Sequence, residues 1–363
     1  MTRATMSAMD RFHASKLGKL KLRLQFSGWL QYITSGVLVF LLLGLAALAL
    51  LVLSWLAWAL MLVAAVIAAI TVFDLITVKL RWHPLEPVPA PLNGLDAFDL
   101  MRARRACRSF QRRKLEPAHL EAVKMDAGHF GAPEQQLGDK PVRFEYINAP
   151  LTVWPVVGCE EFIVAIAPKQ YSRMAVIDIG RSLQKLVHRA TAQGLATCWI
   201  GPGANQASVI AHLGARFNPA EDHVICVCAI GYRSFYKPFF LRLMGLAQHK
   251  RLPLEKLFYS DATFSTPLDI RQSPFGRCFE VCQWAPSSFN SQTTRGVSGD
   301  ADRMDFYAAT ASRYYAAVAL GIWCANWELG CEALGLAGHF EVLPLKAPDT
   351  TLPRYDVSWL PKA

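Results

Sequence analysis

The chain has 363 residues and a formal charge of +10, from 38 Lys and Arg against 28 Asp and Glu. Hydrophobic types make up 53% and charged types 18%, well under the roughly 25% charge of an ordinary globular domain. This excludes a disordered chain, a collagen-like chain and a small disulfide scaffold. The nine cysteines include no C-x-x-C pair and read as reduced thiols.

Residues 24–73 carry no charge, a run of 50 positions. A single helix of that length would measure ~75 Å, whereas a bilayer core is about 30 Å thick. The run is therefore expected to fold back as two spans, near Trp29–Leu51 and Trp55–Val78, with Ser54 at the bend and Trp55 and Trp58 at the far interface. Basic residues flank both sides: Arg3, Arg11, Lys16, Lys19, Lys21 and Arg23 before, Lys79 and Arg81 after. Both ends are expected in the cytoplasm, with a multi-pass placement in the inner membrane. The alternative is a buried hairpin in a large core.

Residues 82–94 hold Pro84, Pro87, Pro89, Pro91 and Gly94, which reads as a stiff extended spacer. Beyond it the pattern is mixed helix and strand, an α+β chain. Leu115–Met125 reads as a helix with Pro117 in its first turn, and Val142–Ile147, Phe162–Ala167 and Val224–Ile230 as strands. Val176, Ile179, Leu183, Leu186, Val187 and Ala190 recur at helical spacing up to Gly194. Residues 235–247 are apolar with two cations and too short to span; they suit either a core helix or a helix on the membrane surface.

A weak repeat links Asp178–Gly201 to 314–338. Each is an apolar helix with an early small residue (Gly180, Gly321), and each closes on Gly-Leu-Ala at 194–196 and 335–337. Two pseudo-repeated halves in one chain suggest a fused dimer with a site at the pseudo-two-fold interface. The expected organisation is 1–27 basic segment, 28–79 hairpin, 80–101 linker, 102–260 first half, 261–345 second half and 346–363 tail.

Seven cations and no acid lie between Arg102 and Lys114. Guanidinium forks suit phosphate and carboxylate oxygens, but charge alone favours a juxtamembrane patch that binds anionic lipid. The local pattern is more specific. Arg104-Arg105-Ala106-Cys107-Arg108-Ser109-Phe110 before a Leu/Ala-rich helix resembles the opening motif of the FMN-dependent nitroreductase family. Asp178, Gly180 and Gln184, then Gly194–Gly201, then Gly231-Tyr232, then Arg251–Glu255 continue that resemblance in order. Ala285-Pro286-Ser287-Ser288-Phe289-Asn290-Ser291-Gln292 is similar to a second family motif. Ala106 replaces the family's Ser, and Thr293-Thr294 stand where Pro-Trp is usual. The chain most resembles membrane-anchored, transmembrane members of the family.

The resemblance implies a nitroreductase-like mixed sheet flanked by helices. It also implies an FMN site enclosed by both halves, NAD(P)H as co-substrate and a small conjugated acceptor such as a nitroaromatic or quinone. By analogy Arg104 and Arg108 serve the flavin ring and ribityl side. Arg105 and Arg251 serve the phosphate, with hydroxyls from Ser287 and Ser288 beside Pro286, and Asn290 holds the approach to the ring. The turn from Ile200 places a backbone N–H near flavin N5, with Gly201 allowing close approach. No side chain reads as a catalytic acid or base. A single site within one chain is expected, and self-association is left open. The rival is a non-catalytic member that binds flavin or a membrane partner.

Other signals carry less. Gly201-Pro202-Gly203 begins a dinucleotide-type loop but ends in Gln206 and lacks an N–H at Pro202. Cys226/Cys228 and Cys278/Cys282 lack companions for a zinc shell. No basic helix has the side chains of a nucleic-acid reader.

Overall fold

The structure is a computed structural model, and it describes residues 15–247, 250–344 and 351–362. Arg3 and Arg11 of the basic flank, and residues 346–350 and 363 of the expected tail, lie outside the described residues.

Helix α1 (Lys16–Phe26) starts at Ser15, whose hydroxyl accepts the Gly18 N–H at 3.0 Å. Helices α2 (Leu30–Ala49) and α3 (Ser54–Asp74, prolonged by a π-helical turn Leu75–Lys79) follow. They are antiparallel: Tyr32 at the start of α2 donates to the Asp74 carbonyl at 3.3 Å, and Lys79 Nζ to the Ser27 carbonyl at 2.6 Å. Ala46, Ala57 and Ala64 are buried along the seam, where small side chains let the backbones approach. The outer faces present Phe40, Leu51 and Trp58. Both helices are long and apolar enough to cross a membrane, and their bounds agree with the expected spans to within about two residues.

The proline-rich segment is extended, as expected, but it is not a free spacer. It lies along the globular part: Leu92 N–H donates to the Ala192 carbonyl at 2.8 Å, and Gln111 Nε2 to the Pro87 carbonyl at 2.9 Å. Gly194, at φ +77°, packs so closely on Ala90 that a Cβ would stand 3.1 Å from the Pro89 carbonyl. Residues 97–101 of the expected linker belong to helix α4 (Ala97–Ala103), which buries Phe98 and Met101 in one cluster with Cys278 and Trp327. The globular part therefore begins before 102, because that helix carries two core side chains on one face.

The remaining chain forms two halves of like topology. The first has helix α5 (Pro117–Gly131), strands β1 (Arg143–Asn148) and β2 (Glu161–Pro168), and helix α6 (Arg173–Ala192). Strand β3 (Ala196–Ile200), helix α7 (Gln206–Leu213), strand β4 (Asp222–Gly231) and helix α8 (Phe239–Ala247) complete it. The second has a short strand β5 (Phe258–Tyr259), helix α9 (Cys278–Gln283), strands β6 (Thr294–Ser298) and β7 (Met304–Ala308), and helix α10 (Tyr315–Ala333). Strands β8 (Gly338–Glu341) and β9 (Arg354–Pro361) follow. One sheet runs β1-β2-β4-β3 and the other β5-β6-β7-β9-β8. Every pair is antiparallel except β5–β6. Setting β5 aside, each half is strand, strand, long helix, strand, strand in the same spatial order. There is thus one sheet per half. Ala132-Pro133 and Ala285-Pro286 follow corresponding helices and precede corresponding strands.

The expected C-terminal tail is instead β9, inserted between β7 and β8, with Tyr355, Val357 and Trp359 buried. Its alternating apolar side chains fill the second core, so that half runs to residue 361. It also begins before 261, since β5 pairs with β6.

The halves meet where α6 crosses α10. A Cβ at Gly180 would lie 3.0 Å from the Val318 carbonyl carbon and 3.1 Å from Gly321 Cα. One at Gly321 would lie 2.8 Å from the Arg181 nitrogen. The two backbones touch here, and only glycine permits it. The small residues that mark the repeat in sequence are the crossing point in space.

Candidate functional site

The arginine segment is fixed by its backbone. After α4 the chain extends beside β3, where Cys107 N–H donates to the Thr197 carbonyl at 2.8 Å. Val157 N–H then donates to the Arg108 carbonyl at 2.9 Å, and Gln111 N–H to the Tyr232 carbonyl at 2.8 Å. This stitches the Arg104–Arg108 stretch to the Gly194–Gly201 stretch, two of the motifs found in sequence.

Arg104 is buried, with 7% of its surface exposed. Burial pushes its guanidinium from 12.5 down to about 10, helped by the charges of Arg251 and Arg105. Burial likewise lowers Arg251 and Arg105. Among the described residues no carboxylate pairs with any of the three, and the neighbouring charges acting on them are other arginines and, at Arg104, two thiols. Arg251 Nη1 donates to the Ala285 carbonyl at 3.0 Å, while its Nε is buried without a partner among the described residues. Arg105 folds back on the Arg102 and Arg104 carbonyls.

These cations are gathered on one indole. The guanidiniums of Arg105 and Arg251 each lie 5.3 Å from the Trp284 ring centre and that of Arg102 lies 5.9 Å away, distances at which a cation is attracted to the ring face. Arg102 also meets Glu280 at 3.4 Å. Trp284 leads directly into Ala285–Gln292, so the first-half arginines and the second-half loop do come together. The loop is pinned to the segment bearing Arg251: Asn290 Nδ2 donates to the Lys250 carbonyl at 2.8 Å, and Gln292 Oε1 accepts the Leu252 N–H at 2.8 Å. Ser287 Oγ accepts the Gln292 N–H at 2.9 Å, and the Ser288 carbonyl accepts from Ser291 Oγ at 2.7 Å. Pro286 is half-buried between them. Phe289 and Asn290 take left-handed backbone, at φ +52° and +56°, which gives the loop its sharp bend. The Asn290 amide is thus engaged in holding the Arg251 segment.

Other expected members stand apart from this cluster. Arg108 is half-buried, and its charge acts on Cys198 and Lys237. Ile200 is buried at the end of β3, and Gly201 faces the second half, where a Cβ would lie 3.3 Å from the Tyr315 ring. Thr197 Oγ1, on the strand beside Ala106, is buried without a partner among the described residues.

Sequence reasoning missed two members. Trp284 precedes a recognised motif by one residue, but its role depends on three arginines from distant segments. His188 is buried in the α6–α10 interface, with Nε2 2.8 Å from Asn326 Oδ1 and 2.9 Å from Gln184 Nε2. Burial holds its imidazole down near 4, against the pull of the Asn326 bond, and Arg104 adds to the depression. It is neutral at physiological pH. Asn326 also donates to the Val281 carbonyl at 2.7 Å, and Trp199 Nε1 to Gln184 Oε1 at 3.2 Å. This polar chain crosses from β3 to α9. The nine cysteines are free, and no cluster of metal-ligating side chains occurs among the described residues.

The fold is mixed α+β, and its two halves bring guanidiniums without carboxylate partners among the described residues to one loop. A family profile described as "Putative TM nitroreductase" matches residues 96–331. The chain belongs to this nitroreductase family and is a nitroreductase-family oxidoreductase. The match begins after both apolar helices. Among solved structures, a protein described as a "putative nitroreductase" from Thermotoga maritima is 15% identical, covers 77% of this chain and 97% of its own, and has a TM-score of 0.45. A nitroreductase with bound FMN from Bacteroides fragilis is 15% identical over 39% of this chain and 89% of its own, at TM-score 0.31. An FMN-dependent nitroreductase from Mycobacterium smegmatis in complex with NADPH is 16% identical over 43% and 98%, at 0.32. Comparison with curated proteins finds no match.

Proposed function

We propose that this chain is a membrane-anchored flavoprotein that passes electrons from NAD(P)H through FMN to a small conjugated acceptor. One observation carries the reading: Arg104 is buried without a carboxylate, with Arg105 and Arg251 beside it. Burying an uncompensated charge is costly, and an incoming anion relieves the cost. The donor set suits FMN, which brings a phosphate dianion and a ring edge that becomes negative on reduction. The unpartnered Arg251 Nε and Thr197 Oγ1 are further donors of the right kind.

In this reading Arg105 and Arg251, with hydroxyls from Ser287 and Ser288, hold the phosphate, while Arg104 and Arg108 serve the ring side. FMN supplies the hydride acceptance and return that no side chain here provides. The protein contributes fixed positive charge. The backbone at Arg104 is fixed, its N–H donating to the Leu100 carbonyl at 3.2 Å and the Cys107 N–H to the Thr197 carbonyl at 2.8 Å, which would keep its positive charge beside a bound anionic group. His188 stays neutral and adds no competing charge at the interface. Asn290 positions the Arg251 segment, and Tyr315 closes the Gly201 side. The hairpin α2–α3 anchors the domain to the inner membrane with both flanks in the cytoplasm, which favours a lipophilic acceptor.

Trp284 standing among the cations favours a second reading, a member in which an internal indole serves in place of a cofactor ring. One experiment separates the two. The full chain, purified in mild detergent, is expected to carry the visible absorption bands of oxidised flavin and to lose them on anaerobic addition of NADH or NADPH. Retained bands without bleaching indicate a binder. No flavin, even after added FMN, overturns the proposal.

A further inference from the structure

A second exposed apolar strip lies beside the hairpin. Helix α8 is tied to α3: its first residue, Phe239, donates its N–H to Asp74 Oδ2 at 2.7 Å. Asp74 lies five residues before Lys79, the last residue of the second span, or ~7.5 Å along the helix. The boundary level is marked by Lys79, whose ammonium lies 5.0 Å from the Trp29 ring centre and bonds the Ser27 carbonyl. Helix α8 thus starts several ångströms on the apolar side of that level. Amphipathic helices lying in an interface bury their apolar face ~5–10 Å into the headgroup and acyl boundary.

The side chains match that depth. Phe239 and Leu243, one turn apart on α8, are exposed by 43% and 50%, and Phe235 just before the helix by 72%. Leu241 on the other side is fully buried. Trp82 and Leu85, just after the hairpin, are each 81% exposed. The two strips are joined by the His83 and Tyr236 rings, stacked 4.1 Å apart, and by Ser234 Oγ donating to Glu86 at 2.8 Å. Five large apolar side chains exposed together are unusual on a surface meeting only water. Cations accompany them: Lys237, Arg242, Arg81 and Arg112. Burial and the charge of Arg112 push the Arg81 guanidinium down, with Glu160, Cys159 and Glu86 opposing.

We infer that α8, together with Trp82 and Leu85, lies in the membrane interface as an in-plane foot, with Lys237 and Arg242 meeting the phosphates of anionic lipid. The occupant is a lipid surface because the strip continues from the apolar hairpin at a matching level and its cations complement anionic headgroups. The inference rests on the anchoring reading of α2–α3. Its consequence is orientation: a hairpin alone lets the domain swivel, whereas a second contact at residues 235–243 fixes its tilt.

The test uses the full chain in vesicles of phosphatidylcholine and phosphatidylglycerol. A single added cysteine, Leu243→Cys, takes an environment-sensitive fluorophore; Asp300→Cys, on an exposed turn of the second half, is the reference. Native thiols are buried apart from half-buried Cys159, and labelling of the parent chain gives the background. Lipids with a nitroxide near the headgroup are expected to quench the label at 243 several-fold more than the label at 300. Replacing Lys237 and Arg242 by Gln is expected to reduce that quenching in vesicles containing phosphatidylglycerol. Retention on the membrane through an alkaline carbonate wash, with the label at 243 as solvent-accessible as that at 300, overturns the foot and leaves the anchor standing. Release of the protein by the wash overturns both.

Discussion

Replacing Gly321 by Ala is the sharpest test of how the halves are joined. A Cβ there would lie 2.8 Å from the Arg181 nitrogen and 2.9 Å from the Ile177 carbonyl carbon, both α6 backbone. The nearest clash is with the Ile177 carbonyl oxygen, and non-bonded atoms rest about 3.5–4.0 Å apart, so the helices must part by more than about 1 Å at the crossing, enough to forfeit roughly half of each affected contact. The Arg181–Glu328 pair at 2.7 Å and the His188–Asn326 bond at 2.8 Å join the same two helices beyond that crossing and lengthen with it. Overpacking alone costs about 1–3 kcal/mol, and strained interhelical bonds bring the total to about 3–4 kcal/mol. For a domain of this size that lowers the Tm by roughly 6–16 °C. Thermal unfolding of the detergent-solubilised protein, followed by circular dichroism, measures it. Gly128→Ala is the control: this glycine sits within α5, and a Cβ added there would meet nothing within 4 Å, so alanine is expected to add about 0.5–1 kcal/mol. The double variant Gly180→Ala/Gly321→Ala is expected to cost less than the sum, because one separation relieves both clashes. A Gly321→Ala protein as stable as the parent refutes the backbone contact.

Arg104→Met is expected to raise the stability of the cofactor-free protein by roughly 3 kcal/mol, the equivalent of moving a guanidinium from 12.5 to about 10, while abolishing FMN retention; a cofactor-free Tm below the parent's would show that Arg104 is structurally satisfied. His188, held near 4 against 6.5 in a free chain, makes the unfolded state take a proton that the folded state refuses, so its contribution is full above about pH 6.5 and declines by up to ~3 kcal/mol towards pH 4. His188→Gln is expected to flatten that part of a chemical-denaturation series. Asp178 and Asp126, whose carboxyls burial pushes up, act in the opposite direction and are common to both proteins, so an unchanged slope excludes His188 as the group responsible.

What was legible in the sequence is what depends on local pattern. The uncharged run gives both apolar helices, since its 50 residues are about twice the length of one span. Helical spacing gives α6, and the Gly-Leu-Ala endings expose its kinship with α10. The arginine motif and the Ser-Ser-Phe-Asn loop are readable because each is contiguous. Contacts made through backbone were not legible. Ala90 meets Gly194, and Leu92 bonds Ala192, through main-chain atoms whose identity the side chains do not advertise, so the proline segment read as a spacer although it is docked. Strand β9 was lost for another reason. It follows a stretch without helical or strand periodicity and pairs with β7, some fifty residues earlier, a partnership no local window reveals. Trp284 was missed because its neighbours converge from residues 102, 105 and 251.

The distribution of carboxylates separates two kinds of arginine in this fold. Arg143 pairs with Asp222 at 2.6 Å, Arg181 with Glu328 at 2.7 Å and Arg277 with Asp99 at 2.6 Å, and Arg173 and Arg303 meet Asp356 and Asp305. Each of these links elements or strengthens a turn, and each brings its own counter-charge. Arg104, Arg105 and Arg251 are clustered with no such partner among the described residues, and two of the three are largely buried. Packing does not require this, because a guanidinium used only for structure is cheaper with its carboxylate than without. The net charge of +10 is therefore not spread evenly but concentrated where acids are missing, in the run from 102 to 114. Charge alone assigns that run to lipid headgroups. Lipid phosphates at a surface can satisfy Arg105, whose side chain is exposed, but not Arg104, which is buried behind the strand edge. The burial of that one guanidinium favours a ligand enclosed by the protein over a headgroup outside it.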